Sequence, residues 1–303
     1  MIIDTPLRLD AHAKINLFLD ITGRRPNGYH ALTGVMQSVS LADRVTVEIT
    51  CGDADEVHLS CSDPALPTDR GNLAFRAAEL FLNTTTDTVR PPLSVRIHIE
   101  KHIPYPAGLA GGSTDAAAVL RGLNHLTGAM FTTDALEALG ARMGADVPFC
   151  IRGGTCITEG IGDILTPCPA LPACDILIAC AGEGVSTPEA YRVLDTAFGG
   201  FAENLYRPHL DKLNRLLASL GDGSLHGIGE HSFNLFESVI LPRHSTAGRL
   251  LDGLRAGGAV CARMSGSGPS VFGLFPLGVA EPLCAAMRES GIPSWVCHPT
   301  AQN

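Results

Sequence analysis

"PYPAGLAGGSTDAA", residues 104–117, sets three glycines ahead of two hydroxyls and an acid, then runs into an alanine-rich helical pattern. Gly108, Gly111 and Gly112 free the backbone for positive φ and for close approach of a ligand. Ser113, Thr114 and Asp115 are expected in the cap and first turn of the helix, whose buried stripe is Ala116, Val119, Leu120 and Leu123. A helix N-terminus carries unpaired N–H groups and about half a positive charge, an anion site that needs no lysine. A strand-to-helix turn that binds nothing has the same composition. Neither glycine cluster of the chain gives G-x-G-x-x-G, and G-x-x-x-x-G-K-[ST] is absent, so the loop alone leaves both readings open.

Upstream, "LSVRIHIEKHIP" alternates Val95, Ile97 and Ile99 with Arg96, His98 and Glu100, which predicts a strand with one polar face. His98 and His102 therefore do not form a zinc helix despite their spacing. "GNLAFRAAELFLN" (71–83) reads as an amphipathic helix. Downstream, "TTDALEALGARMGADVPFC" predicts a helix capped by Thr133 or Asp134 and stopped at Gly144, with Pro148 barring its continuation. At the N-terminus, Leu7, Leu9, Ala11, Ala13, Ile15, Leu17, Leu19 and Ile21 all fall on odd numbers. This is extended chain with one buried face; His12, Lys14, Asn16 and Asp20 take the other, which Phe18 shares. "RRPNGYH" (24–30) is a turn, and "DRVTVEIT" a further strand.

With 303 residues, 45% hydrophobic and 17% charged, the chain can bury two ordinary cores. A net charge of -9 argues against a nucleic-acid or anionic-membrane binder, which needs broad positive potential. No apolar run reaches the roughly 18 residues of a membrane span, and acids in "MIIDTPLRLD" do not suit a targeting peptide, so a cytoplasmic protein is expected. Ten cysteines without a C-x-x-C pair read as free thiols. Glycine and proline become dense after residue 155, which sets an expected boundary between lobes 1–155 and 156–303. The second lobe predicts helices at 189–197, 208–219 and 245–256, with strands near 176–181, 259–264 and 270–275. Helices and strands mix without regular alternation, which points to an α+β fold.

Only three of the 22 basic side chains are lysines, at 14, 101 and 212. Lys14, in the middle of a half-buried strand, either snorkels to solvent or holds a compact charge for a carboxylate or a transferring phosphoryl group. Asp146, in "GADVPFC", either caps a turn or serves as that carboxylate, able to orient a substrate hydroxyl and take its proton.

Three separated segments, "PYPAGLAGGSTDAA", "AHAKINLFLDITGRRPNGYHAL" and "ARMSGSGPSVFGLF", resemble the motifs of the GHMP small-molecule kinases. The second of them, with "LGARMGADVPFCIRGGTCITEGIGDILTPC" and "GVSTPEAYR", is similar to the branch acting on a cytidine diphosphate-linked methylerythritol. The resemblance implies a two-lobed GHMP kinase fold, with a ribosomal-protein-like N-terminal ATP lobe and a ferredoxin-like C-terminal lobe. It implies Asp146 as catalytic base and Lys14 as its charged partner. It further implies Asn16, Tyr29, His30 and Tyr191 as contacts to the cytidine substrate, with Tyr29 stacking on cytosine. Pro106, Ala107, Gly108, Leu109, Ala110, Gly111, Gly112, Ser113 and Thr114 would wrap the phosphates of ATP, bordered by Gly266 and Gly268. Mg²⁺ would bridge those phosphates, with no protein ligand assigned to it. Pro106 and Ala110 stand where the family usually has glycine, and Leu235 where it usually has aspartate.

Overall fold

The computed structural model describes residues 5–85, 91–180, 182, 186–201, 206 and 208–303. Residues 1–4, residue 181 of the strand expected at 176–181, and Gly184 and Val185 of "GVSTPEAYR" lie outside the described residues. Two long antiparallel strands, β1 (Leu7–Arg24) and β2 (His30–Cys51), are joined by the expected turn. There the Gly28 N–H donates to Arg25 O at 2.9 Å. After them come β3 (Glu56–Cys61), α1 (Leu73–Thr84), β4 (Leu93–Glu100) and α2 (Gly111–Thr127). Next are α3 (Thr133–Ala141), α4 (Asp146–Arg152), β5 (Thr155–Glu159) and β6 (Ile164–Pro167). The second half adds β7 (Asp175–Ala179), α5 (Thr187–Ala197), α6 (Leu210–Gly221), α7 (Leu225–His231), β8 (Phe233–Asn234) and α8 (Glu237–Ile240). It ends in α9 (Ser245–Ala256), β9 (Cys261–Met264), β10 (Val271–Phe275), α10 (Glu281–Glu289) and β11 (Ser294–Cys297).

The mixture is α+β, as expected. One sheet runs β3-β4-β2-β1-β8, with β5 bonded to β2 and β6 to β5; the other, antiparallel, runs β11-β7-β10-β9. Helices α1 and α2 cover the first sheet: Phe81, Val119, Leu120 and Leu123 join Val45, Val47, Val95 and Ile97 in one apolar cluster. A second cluster joins Ile15, Leu17 and Phe18 of β1 to Ile176, Leu216, Phe272 and Leu274, so the two sheets share a core. Because β5 and β6 belong to the first sheet, that sheet runs past residue 155. We propose that the first lobe ends between β6 and β7. Among the described residues no helix is long and apolar enough to cross a membrane, and all ten cysteines are unpaired.

Three local differences from the sequence pattern shape the site. Pairing of β1 with β2 slips between His12 and Lys14, Asn16 and Phe18, and Ile21 and Gly23. Each slip shifts the phase of the side chains, and the second half of the chain covers the remaining face. Every residue from 13 to 21 is consequently buried, and β1 has no solvated face there. Helix α3 is capped one residue earlier than expected, by Thr132 Oγ1 accepting from the Ala135 N–H at 3.3 Å. Pro148 sits inside the first turn of α4, where its missing N–H has no helical partner to lose.

The third difference lies at the glycine loop. Neither Ser113, Thr114 nor Asp115 caps α2; its N-cap is Ala110, with φ +61° and ψ +27° and no side-chain bond. A left-handed conformation costs an L-residue about 1–2 kcal/mol, and part of that is recovered through the smaller entropy of an unfolded alanine relative to glycine. Ala110→Gly should therefore stabilise the protein by about 0.5–1 kcal/mol. Chemical denaturation checks this, with an upward shift of the midpoint expected.

Candidate active site

The glycine loop is fastened on two sides. Towards β1, the Lys14 N–H donates to Leu109 O at 3.2 Å and Thr114 Oγ1 donates to His12 O at 2.7 Å. Towards the second sheet, Ser265 Oγ donates to Gly108 O at 3.0 Å. Gly108 has φ +73°, and a Cβ there would stand 2.3 Å from Ser265 O, so only glycine permits this approach. Gly266 packs against Gly108 from the same turn, and Gly268 O also faces Gly108.

Lys14 is 4% exposed, which overturns the snorkelling reading. Its Nζ donates to Asn16 Oδ1 at 2.7 Å, and the same oxygen accepts the Gly266 N–H at 3.0 Å. Asn234 holds that turn in place: Nδ2 donates to Met264 O at 2.7 Å and to Gly266 O at 2.9 Å, while Oδ1 accepts the Phe236 N–H at 3.0 Å. Asn16 Nδ2 is buried with no partner, a spare donor beside the lysine.

Asp146 is the first residue of α4, whose N-cap is Ala145, and among the described residues its carboxylate makes no hydrogen bond to a turn. It shares a cavity of about 930 Å³ with Lys14, without a direct ion pair between them among the described residues. Every residue from Pro106 to Ser113 lines this cavity, as do Asn16, Tyr29, His30 and Tyr191. Thr114 does not: it is 1% exposed and its hydroxyl is spent on His12 O.

The far wall is aromatic. His30 stacks on Tyr191 with ring centroids 4.6 Å apart, and Phe236 meets Tyr191 edge-on at 5.1 Å. The His30 Nε2 lies 2.6 Å from Asp195 Oδ1, a partner that sets the ring's orientation. Burial, and then the charge of Asp146, push the Tyr191 hydroxyl up to about 12, so it stays protonated as a donor. Tyr29, 60% exposed, stands free at the rim.

Beneath the loop, Lys101 lies between Asp43 and Asp115, the latter at 2.8 Å. Asp43 Oδ1 also accepts the His102 and Ile103 N–H groups, at 2.5 and 2.8 Å, which fixes the chain entering the loop. Burial lowers Lys101, but the two carboxylates outweigh it and hold the ammonium above its ordinary value. One cation cannot offset two buried carboxylates. Burial, with Asp43 adding to it against the pull of Lys101, pushes Asp115 up to about 7. Sequence reasoning passed over Asp43, Asp195, Asn234 and this role of Lys101.

The folded value of Asp115 lies above its ordinary 3.8, so folding favours the protonated acid. That contribution is whole below about pH 4 and is lost as pH rises through about 7. Asp115→Asn should flatten the decline: between pH 5 and 8, urea midpoints of the wild type should fall more steeply than those of the variant. Parallel curves would contradict this titration.

Residues 72–154 match the family described as GHMP kinases N terminal domain, and residues 201–292 match GHMP kinases C terminal. A 4-diphosphocytidyl-2-C-methyl-D-erythritol kinase of a Synechococcus species is 43% identical over 88% of this chain and 85% of its own length. The enzyme of that name from Gloeobacter violaceus is 41% identical, over 96% and 93%. A crystal structure of 4-(cytidine 5'-diphospho)-2C-methyl-D-erythritol kinase superposes with a TM-score of 0.79 at 33% identity, covering 97% of this chain and 100% of that one.

Proposed function

The chain belongs to the 4-diphosphocytidyl-2-C-methyl-D-erythritol kinase family of GHMP kinases, and from that premise we propose that it phosphorylates this cytidine diphosphate-linked sugar alcohol in the non-mevalonate route to isoprenoid precursors. ATP is the donor and the C2 hydroxyl the acceptor. The observation that carries this reading is a single cleft with three kinds of wall: a glycine loop at a helix N-terminus, an aromatic cluster, and Lys14 with Asp146.

The loop takes the nucleotide phosphates through the free N–H groups at the start of α2, aided by the helix dipole and by Ser113. Tyr29, His30 and Tyr191 take the cytosine, and the spare amide donor of Asn16 faces the acceptor. Asp146 orients the C2 hydroxyl and removes its proton. The new bond forms between that oxygen and the γ-phosphorus, the bond from the γ-phosphorus to its bridging oxygen breaks, and ADP leaves. Lys14 neutralises charge on the transferring group, which matters more than base strength in a loose transition state.

Among the described residues no group of three His, Cys, Asp or Glu side chains is placed to hold a metal. The donors that line the cleft, the Ser113 hydroxyl and the Asp146 carboxylate, fit a Mg²⁺ ion that arrives on ATP and keeps mostly phosphate and water ligands. Such an ion would supply charge neutralisation to the nucleotide phosphates. Both proposed substrates are water-soluble nucleotides, and the cytoplasm is the proposed compartment.

Purified protein with the cytidine substrate and Mg-ATP should form ADP. Asp146→Asn should lower kcat by about 10²–10⁴ with ATP binding retained. Unchanged turnover in that variant would rule out the proposed base, and absence of turnover in the wild type would rule out the substrate.

A further inference from the structure

Helix α5 brings Tyr191 and Asp195, four residues apart and so on one face, to the aromatic wall of the cleft. Against them stand both ends of the turn that carries Tyr29, because Arg24, at the end of β1, pairs with His30, at the start of β2. Asp195 meets both ends. Its Oδ1 lies 2.6 Å from His30 Nε2, and its Oδ2 lies 3.8 Å from Arg24 Nη1. One carboxylate therefore ties the helix of Tyr191 to the hairpin of Tyr29.

The aromatic packing around His30 does not decide where the ring carries its hydrogen. Tyr191 stacks on the ring and Phe201 meets it edge-on at 5.6 Å, contacts that depend on the ring plane rather than on the tautomer. The bond to Asp195 does decide it. An ionised carboxylate only accepts, so Nε2 holds the hydrogen and Nδ1 of the neutral ring is left with a bare lone pair. Among the described residues the His30 ring makes no other hydrogen bond, and His30 lines the cleft. Cytosine offers a donor in its exocyclic amine, whereas uracil carries an accepting oxygen at that position. Resting on the cytidine reading of the cleft, we propose that Asp195 is a positioning residue for base selection: it holds the hydrogen on His30 Nε2, so that Nδ1 accepts from the amine of cytosine and rejects the oxygen of uracil. Two lone pairs set against each other leave both groups unpaired, the costly case for polar atoms withdrawn from water.

Cytidine and uridine monophosphates titrated into the full chain test this, alongside the Asp195→Asn and Asp195→Glu variants. Wild-type protein should prefer the cytidine nucleotide, and proton–nitrogen correlation spectra should place the His30 hydrogen on Nε2. Asparagine keeps the size of the side chain but can also donate, which admits the other tautomer. In Asp195→Asn the preference should fall about tenfold or more and Nδ1 should become partly protonated. In phosphoryl transfer by that variant, KM for the cytidine substrate should rise more than kcat falls, with KM for ATP unchanged. Glutamate, which only accepts, should restore part of the preference. Wild-type protein without a preference would remove the cytidine reading and this inference with it. With a selective wild type, an undiminished preference in Asp195→Asn, or equal selectivity in the two variants, would overturn the role of Asp195 alone.

Discussion

Asn16 Oδ1 accepts the ammonium of Lys14 and the Gly266 N–H at the same time, at 2.7 and 3.0 Å. A buried ammonium without partners is costly to hold in place, and a hydrogen bond to a charged group contributes about 1.5–3 kcal/mol. The amide oxygen, itself uncharged, holds the lysine head in place without adding the countercharge that a carboxylate would bring. That leaves a positive charge available to the cleft. Since Gly266 belongs to the second half of the chain and Lys14 to the first, the same oxygen also sets the spacing between the two walls of the cleft.

The rest of the site follows from that contact. Gly266 reaches Asn16 only because Asn234 ties down both Met264 O and Gly266 O, and because Gly108 has no side chain to collide with Ser265 O. The loop then passes over Lys101, whose two carboxylate partners lock the entry at His102 and Ile103 and the exit at Asp115. Ala110 accepts a left-handed conformation between those anchors. Its left-handed conformation, rare for an L-residue, shows the loop dictating the backbone rather than the residue.

The long elements were legible because their apolar periods are long and clean. The alternation of β4 and the stripe of α2 appear where the pattern puts them. The phase slips of β1 were not legible, since a bulge leaves the count of apolar residues unchanged while turning side chains to a new face. For that reason Lys14, Asn16 and Asp20 looked half-solvated and prove buried. Phe18 among them was the one local sign that this face was covered. The pairing of His30 with Asp195 crosses 165 residues, and that of Gly266 with Asn16 crosses 250; no spacing rule reaches so far. Lys101 had a usable signal, its rarity in an arginine-rich chain, but its carboxylate partners come from β2 and α2 and meet only in the fold.

The central claim is that Lys14 acts through the position Asn16 gives it. A double-mutant cycle of Lys14→Met and Asn16→Ala, measured on kcat for phosphoryl transfer, tests it most directly. If Asn16 works by placing the lysine, its substitution should matter far less once the lysine is gone, with a coupling energy of about 1–3 kcal/mol. Effects that simply add would contradict the account.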